Sequence, residues 1–463
     1  MTSSINRRIV GLAIPNIITN ITVPLLGMVD MAIVGHLSPA HIGAITIGTS
    51  IFNLIYWNFG FLRMGTSGFT AQAYGAKNLD EAVRIFVRAI TIAGCIALLL
   101  ILFQRPIQLL ALTIFEGSPN VLQLASTYFF IRIWAAPATL GLYAVKGWFI
   151  GLQNSKLPMW IAIALNLVNI TFSLLFVIVL HWDIAGVAWG TVIAQYSGLA
   201  IGLFFVVKRY RHLFIRYRPQ NIIHSDAPTT RLNVFRSLIA DALQWSQLRR
   251  FFKVNGDIFL RTICLAAVFT FITAASGRIS DEILAVDALL LQFFTLFSYF
   301  MDGFAYAGES LVGRFIGAAD ATNLRRTVRC LIKWGLGLTL LFSALYAVGG
   351  EAFLHIFSDD SSIIEAARPY LFWILIIPPC GFSAFLFDGI FVGATASRAM
   401  RNSMFVATAA FFAIYFGFKQ FLPNSTATET WNNILWTAFM VYLSSRGILQ
   451  AVLLKRSVYS KVQ

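Results

Sequence analysis

Residues 147–155 of this 463-residue chain read GWFIGLQNS, and the pattern returns at residues 389–397 as GIFVGATAS. Both glycines, the phenylalanine and the final serine align when the chain is shifted by 242 positions, since 389 − 147 = 242. Further pairs that align at this shift are Gly35 with Gly277, Ser38 with Ser280, Phe52 with Phe294, Gly75 with Gly317, Arg84 with Arg326, Tyr128 with Tyr370 and Pro137 with Pro379. One ungapped shift over such a length indicates an internal duplication.

The composition indicates that the two copies fold in a membrane and not in water. Hydrophobic residues make up 58% of the chain, charged residues make up 12%, and the mean hydropathy is +0.74. A water-soluble fold of this length could not bury so much apolar surface. Apolar stretches of about 20 residues, enough to cross a bilayer, recur from end to end. They predict twelve spans, near residues 10–34, 47–73, 86–104, 123–150, 158–180 and 186–207, and then 254–275, 283–312, 331–349, 364–392, 402–421 and 432–454.

The fold class follows from the spans and the duplication together. Six spans, an even number, separate equivalent points, so both copies cross the membrane in the same direction. The sequence therefore predicts an all-α membrane protein with two parallel six-helix repeats. Such repeats are typical of transporters in which two bundles rock to give alternating access. A duplicated bundle without a transport role, such as a scaffold or a receptor, is the alternative.

Basic residues predict the orientation. With a cytoplasmic N-terminus, most of the 35 Lys and Arg residues fall on the inner side, whereas Arg105, Arg278, Arg368 and Lys419 fall outside. This asymmetry follows the positive-inside rule and predicts a multi-pass protein of the plasma (inner) membrane with both termini cytoplasmic. Topology thus explains the net charge of +15 without a nucleic-acid partner.

A polar stretch divides the chain into three predicted regions. Residues 1–207 form the first lobe, residues 208–250 a cytoplasmic linker with an interfacial helix near 234–248, and residues 251–463 the second lobe. The four cysteines are scattered singly, which argues against a metal site or a disulfide framework. The sequence contains no HExxH, GxSxG or glycine-rich phosphate loop, so we expect neither an enzyme nor a bound cofactor.

Five motifs resemble those of one known family. They are VDMAIVGHL at 29–37, FLRMGTSGFTAQAYGAKN at 61–78, IRIWAAP at 131–137, DGFAYAGES at 302–310 and DGIFVGATASRAMRNSM at 388–404. In this order they resemble the DinF-like branch of the multidrug and toxic compound extrusion (MATE) transporters over essentially the whole chain. The resemblance implies a V-shaped pair of six-helix lobes. It also implies efflux of diverse cationic or amphipathic molecules in exchange for protons or sodium.

Asp30 is the residue that we assign to proton coupling. A charge at the bilayer centre costs at least about 2.5 kcal/mol on insertion scales, so an acid kept there is expected to function. A carboxyl group in an apolar site can bind and release protons near neutral pH. In the resembling family the matching aspartate takes part in proton coupling. The alternative is a fixed ion pair with Arg63, Arg132 or Lys146.

Polar residues of two later spans are expected to join Asp30. Asn169 and Ser173 are four residues apart and share a face of the fifth span, and Thr191 lies in the sixth. The resembling family often carries asparagine and aspartate at the two fifth-span positions, so Ser173 stands where an acid would be. Because a hydroxyl cannot titrate in this range, the chain departs from a two-carboxylate relay. Hydrogen bonding between helices is the alternative role for these residues.

The second lobe holds another candidate polar site, formed by Asp257, Arg261, Asp302 and Asp388. Asp257 and Arg261 stand at i and i+4, a spacing that predicts an ion pair within one helix. Asp302, Glu309 and Asp388 also carry oxygens that could converge on sodium, which needs several oxygen ligands.

Candidates for the substrate cavity are Met28, Tyr56, Trp57, Arg63 and Tyr143. Aromatic rings suit amphipathic and cationic compounds, and they suit ordinary lipid contact equally well. Lys146 lies close to the predicted inner interface, so we interpret it as a lysine that extends its ammonium group to that interface.

Together these features predict a secondary active antiporter that exports amphipathic or cationic organic compounds in exchange for protons. A sodium-coupled exporter is one alternative. A flippase of lipid-linked precursors is another, and it would need a strongly basic cleft, for which the first lobe offers only Arg63, Arg132 and Lys146. The expected partners are small organic molecules and the lipid bilayer, and the protein is expected to act as a monomer.

Overall fold

The computed structural model describes residues 2–35, 37–114, 117–217, 231–421 and 427–462, and most of them are helical. The helices of the first half are α1 (Thr2–Gly35), α2 (Pro39–Asn58), α3 (Phe61–Gly75), α4 (Leu79–Leu102), α5 (Gln104–Ile114), α6 (Pro119–Arg132), α7 (Ala136–Gly151), α8 (Lys156–Leu174) and α9 (Asp183–Ile215). The remaining helices are α10 (Arg231–Ala242), α11 (Trp245–Ile279), α12 (Asp281–Gly317), α13 (Ala321–Phe357), α14 (Ser361–Ala367), α15 (Leu371–Gly393), α16 (Ser397–Phe421) and α17 (Thr428–Ser457).

Within the described ranges, twelve helical segments are long and apolar enough to cross a membrane, which confirms the predicted number. Three spans are built from two helices each, namely α2 with α3, α6 with α7, and α14 with α15. Several helices continue beyond the predicted spans, as α9 does to Ile215. Hydropathy marks only the apolar part of a helix, and the last turns of α9 are basic.

The turns that precede α4 and α13 have the same backbone structure, as expected of a duplication. Asn78 caps α4 and Asp320 caps α13, each accepting a hydrogen bond from the backbone N–H three residues ahead, at 3.0 and 2.9 Å. The residues before these caps, Lys77 and Ala319, both have left-handed backbone, with φ of 57° and 52°. Asn78 and Asp320 are 242 positions apart, since 320 − 78 = 242. The internal repeat read from the sequence is thereby confirmed in the backbone.

The close contacts between helices also repeat at the shift of 242 positions. In the first copy α7 lies against α3 at Gly147, where an added Cβ would overlap the carbonyl oxygen of Arg63. In the second copy α15 lies against α12 at Gly389, where an added Cβ would overlap the carbonyl oxygen of Ala305. Only glycine permits so close an approach of two backbones. Positions 63 and 305 therefore correspond, as do 147 and 389.

Aromatic side chains fill the interior of both copies, and two of them hydrogen-bond to backbone carbonyls of neighbouring helices. The indole N–H of Trp148 donates to the carbonyl oxygen of Ala82 at 2.8 Å. The Tyr346 hydroxyl donates to the carbonyl oxygen of Phe293 at 2.8 Å. Because no water is available in an apolar interior, such groups need protein partners.

The described helices group into two compact units. We call Ile14–Asn255 the N-terminal lobe and Met1–Ala13 with Gly256–Gln463 the C-terminal lobe. The predicted linker, residues 208–250, includes the end of α9, the whole of α10 and the start of α11, whereas residues 218–230 lie outside the described residues. The boundary between the lobes falls within α11, just after the end of that linker.

Two hydrogen bonds hold the end of α10 against the N-terminal lobe. Arg88 of α4 donates through Nε to the carbonyl oxygen of Ala242 at 2.8 Å. The Tyr217 hydroxyl donates to a carboxylate oxygen of Asp241 at 2.6 Å. A helix was predicted near 234–248, and the observed α10 ends earlier, at Ala242.

Candidate functional site

The N-terminal lobe brings Asp30 together with the three polar residues predicted to join it. Asp30 lies near the end of α1 and is 3% exposed, while Asn169 and Ser173 of α8 and Thr191 of α9 are each at most 1% exposed. The helices α8 and α9 approach closely at Gly190, where an added Cβ would overlap the Ser173 hydroxyl. This contact sets the two helices at the spacing that places their hydroxyl groups on one carboxylate.

The hydroxyl groups contact both oxygens of the carboxylate. Ser173 donates to Oδ1 of Asp30 and Thr191 donates to Oδ2, both at 3.4 Å. Asn169 donates through Nδ2 to the Thr191 hydroxyl at 3.1 Å. Both bonds to Asp30 are long for O–H···O bonds, which average about 2.7 Å, so the carboxylate is held loosely.

Thr191 has two acceptors for one proton. Its Oγ1 lies 3.1 Å from the carbonyl oxygen of Val187 as well as 3.4 Å from Asp30. The single hydroxyl proton can be donated to only one of these two acceptors at a time. Thr191 can therefore turn from the carboxylate to its own helix backbone when Asp30 no longer needs a donor.

Asp30 forms no ion pair with any Lys or Arg residue that the structure describes. Arg132, the cation that acts on it electrostatically, instead donates to the Tyr128 hydroxyl and lies 5.2 Å from the centre of the Phe52 ring. The fixed ion pair considered as an alternative role for Asp30 is absent from this part of the structure.

The C-terminal lobe holds a different arrangement around Asp388. Arg261 of α11 and Arg446 of α17 both donate to its Oδ2, and Gln450 donates to its Oδ1 at 2.8 Å. Asp388 is 6% exposed and Arg446 is 2% exposed. This carboxylate is a structural anchor, because two buried cations donate to one of its oxygens and an amide donates to the other.

The predicted ion pair between Asp257 and Arg261 is wrong. Asp257 accepts hydrogen bonds from Ser397 at 2.7 Å and from Arg401 at 2.6 Å, while Arg261 reaches Asp388. Spacing along one helix permitted the pair, but α15 and α16 supply other partners. Of the remaining acids in this lobe, Asp302 is half-buried and Glu309 is buried.

One further buried carboxylate, that of Asp287, was not singled out from the sequence. Asp287 of α12 is 1% exposed and accepts hydrogen bonds from the Ser276 hydroxyl, from Asn432 at 3.0 Å and from the Trp436 indole at 2.7 Å. These donors come from α11 and α17. Its position within a span was the only sequence signal, because all three partners stand on other helices and two of them lie more than 140 residues away along the chain.

The candidates for the substrate cavity differ in exposure. Met28 is 65% exposed, Trp57 is 46% exposed and Tyr56 is 7% exposed. Arg63 and Tyr143 are half-buried. Arg63 lies at the contact of α3 with α7, and Tyr143 lies one turn before that contact on α7.

Comparisons with known proteins agree on one family. A family model described as MatE matches residues 15–175 and again 258–418, once in each half of the chain. DNA damage-inducible protein F of Escherichia coli (strain K12) is 36% identical over 451 residues, which covers 96% of this chain and 91% of that protein. Multidrug and toxin extrusion protein 1 of Homo sapiens is 25% identical over 363 residues, which covers 78% of this chain and 59% of that protein. The crystal structure of the Vibrio cholerae MATE transporter VcmN in the bent form matches with a TM-score of 0.82 and 17% identity, covering 99% of this chain and 98% of that chain.

Proposed function

This chain belongs to the MatE family of membrane transporters, and from that membership we propose that it exports amphipathic and cationic organic compounds in exchange for protons. Members of this family are transporters and not enzymes. The proposal further places the protein in the inner membrane as a monomer, with both termini in the cytoplasm. The two parallel six-helix repeats support transport by alternating access.

The proposal that protons are the coupling ion rests on the surroundings of Asp30. The buried carboxylate has neutral hydroxyl donors and no ion pair with any described residue, so no fixed counter-charge prevents it from taking up a proton. When Asp30 is ionised, Ser173 and Thr191 donate to it. When it is protonated, the carboxylate charge is gone and Thr191 is released to the Val187 carbonyl. Proton binding therefore changes the contacts between α1, α8 and α9.

Sodium coupling is the weaker candidate. It was expected to draw on Asp302, Glu309 and Asp388, yet the oxygens of Asp388 already accept from Arg261, Arg446 and Gln450. A cation would have to displace charged donors from a buried site. A flippase of lipid-linked precursors, the other alternative, would move lipid rather than soluble dyes, so a transport assay separates the two.

The test is dye accumulation in everted membrane vesicles that carry the full-length protein. Accumulation should stop when a proton ionophore collapses the gradient, and it should persist without sodium. Asp30→Asn should abolish it at unchanged protein levels, because the amide cannot exchange a proton. Asp359→Asn is the matched control, since Asp359 is exposed and lies outside the spans. Undiminished accumulation by Asp30→Asn, or a strict sodium requirement, would refute proton coupling at this residue.

A further inference from the structure

The last turns of α9 extend beyond the hydrocarbon layer of the membrane. The helix has 33 residues, so at a rise of about 1.5 Å per residue it is about 50 Å long, whereas the hydrocarbon layer is about 30 Å thick. Trp182, which directly precedes the helix, is 46% exposed, and tryptophan favours the membrane interface. Lys208 lies 26 residues further on, since 208 − 182 = 26, or about 39 Å along the helix axis. This end of α9 therefore lies among the headgroups of the opposite leaflet, the cytoplasmic one in the orientation proposed above.

Five basic residues lie exposed on one side of this end of α9. We call them the α9 basic patch: Lys208, Arg209, Arg211, His212 and Arg216. The other side of the helix end is packed, because Val206, Leu213 and Tyr217 are at most 6% exposed. Arg216 continues the last turn, since its backbone N–H donates to the carbonyl oxygen of His212 at 3.1 Å. No residue of the patch forms an ion pair with any residue that the structure describes. Like charges so close together repel each other and favour an anion between them.

The acids of the neighbouring helices do not neutralise the patch. The helix α4 packs against this part of α9, and its Glu81 pairs with Arg84 and Arg88. Asp80, the other acid at the start of α4, forms no described ion pair with the patch. Asp241 of α10 is 1% exposed and so lies away from the surface that carries the patch. An anion that binds here is therefore expected to come from outside the protein.

The repeat architecture does not require these cations. Corresponding positions of the two lobes can differ in charge, as Lys146 and Asp388 do, since 388 − 146 = 242. The same shift pairs the patch with neutral residues at the end of α17. They are Gln450, Ala451, Leu453, Leu454 and Val458. The cations at the end of α17 stand at other positions, Lys455 and Arg456. The α9 basic patch is thus particular to the N-terminal lobe.

Exposed apolar side chains adjoin the patch. Phe204 is 55% exposed, Val207 is 63% exposed and Ile215 is 73% exposed. The ammonium nitrogen of Lys208 lies 5.3 Å from the centre of the Phe204 ring. Arg211 and Ile215 stand one turn apart, so that basic and apolar groups share a face of the helix. A free phosphate ion would meet only the cations, whereas a phospholipid brings an anionic headgroup together with acyl chains.

We propose that the α9 basic patch binds the phosphate headgroup of an anionic phospholipid in the adjacent leaflet, with the acyl chains against Phe204 and Val207. Arginine guanidinium groups bind phosphate oxygens in a bidentate manner, and Lys208 adds a point charge at the apolar border. The site is separate from Asp30 and goes beyond the export function, because its ligand is a component of the membrane.

A matched pair of lipids tests the site. Dioleoyl phosphatidylglycerol is anionic, and dioleoyl phosphatidylcholine has the same acyl chains with no net charge. Native mass spectrometry of the full-length protein in detergent measures the affinity of each lipid. We expect the original protein to bind phosphatidylglycerol about tenfold more tightly. Lys208→Gln combined with Arg209→Gln should weaken phosphatidylglycerol binding about tenfold, because two cations beside the phosphate are lost, and should leave phosphatidylcholine binding within about twofold.

Two further variants separate charge from folding. Lys208→Arg combined with Arg209→Lys keeps the charge and should retain phosphatidylglycerol binding within about threefold. Arg211→Gln combined with Arg216→Gln removes two other cations of the patch and should reproduce the loss. The control is Lys455→Gln combined with Arg456→Gln, which removes the same two residue types from the exposed end of α17. This control should bind phosphatidylglycerol as the original protein does.

Equal losses in the α9 and α17 variants would show a general attraction of lipid to positive charge and would overturn the site. No preference for phosphatidylglycerol, or no loss in either α9 variant, would overturn it as well. Displacement of phosphatidylglycerol by millimolar inorganic phosphate would assign the patch to a soluble anion and refute the lipid. The assay involves no transport, so none of these outcomes bears on the export function.

Discussion

Gly190 and Ser173 lie in direct contact, so that a Cβ on residue 190 would come within 2.8 Å of the Ser173 backbone nitrogen and would overlap its hydroxyl oxygen. The helices α8 and α9 bring Ser173 and Thr191 to the two oxygens of Asp30 only while residue 190 has no side chain. A glycine outside the polar cluster thus positions the groups that hydrogen-bond to the proposed coupling residue.

Gly190→Ala is therefore expected to separate α8 from α9 and to withdraw Ser173 from Asp30. We expect a loss of about 1–3 kcal/mol in the free energy of unfolding, as for other overpacked interiors, and at least a tenfold loss of proton-driven export. Thermal unfolding in detergent and dye accumulation in everted vesicles measure the two effects. Gly94→Ala in α4 should retain both properties, since nothing lies within 4 Å of its added Cβ. Normal export by Gly190→Ala would show that the close contact is not needed.

Asp287→Asn is expected to lower stability and to leave proton-driven export intact. The neutral amide removes the negative charge that strengthens the hydrogen bonds from Ser276, Asn432 and Trp436, at a cost of about 1–3 kcal/mol. Asp30→Asn, assayed in parallel, should lose export. If export disappears in Asp287→Asn at unchanged stability, coupling belongs to the C-terminal lobe.

Asp388→Asn is expected to destabilise the protein by about 3–5 kcal/mol, because it leaves Arg261 and Arg446 buried without a counter-charge. Glu351→Gln is a matched comparison, since Glu351 pairs with Arg368 at 2.6 Å and both side chains are 55% exposed. That surface pair should contribute at most about 1 kcal/mol. Equal, small shifts in unfolding temperature for both variants would contradict the anchoring role of Asp388.

The helix cap at Asp320 is expected to depend on pH. A hydrogen bond from the backbone N–H of Asn323 holds the pKa of Asp320 below its ordinary value of 3.8. A depressed pKa in the folded state contributes stability above the unfolded pKa, and this contribution is lost as the pH falls through the folded value. Asp320→Ala should thus cost about 1 kcal/mol at neutral pH and less below pH 3.8.

The corresponding cap in the first copy, Asn78, provides the control. An amide does not titrate in this range, so Asn78→Ala should cost about the same at every pH. Unfolding temperatures of both variants and the original protein, taken from neutral to acidic pH, give the comparison. A pH-independent cost for Asp320→Ala would show that its carboxylate charge contributes nothing to the cap.

The span number and the duplication could be predicted because their signals are local or periodic. Apolar stretches mark the spans one by one, and glycines such as Gly147 and Gly389 recur at a fixed shift. The site around Asp30 could be predicted in part, because Asn169 and Ser173 already share a helix face. The glycine that permits their approach, Gly190, was recognisable only after α8 and α9 were seen in contact.

The polar contacts of the C-terminal lobe could not be predicted in the same way. Asp257 and Arg261 have the spacing of an ion pair within one helix. In the folded protein Asp257 instead pairs with Arg401, and Arg261 pairs with Asp388. The partners of Asp257 and Asp388 stand on other helices, and a single sequence contains no signal that joins them. Helix spacing predicts which pairs are permitted, and the packing of neighbouring helices decides between them.

The opposite charges at positions 146 and 388 separate this chain from a pair of identical subunits. A symmetric homodimer must carry the same residue in both protomers, so it could not hold lysine in one half and aspartate in the other. Fusion of the two halves into one polypeptide removes that constraint. Each half can then carry different residues at equivalent positions while both keep the same architecture.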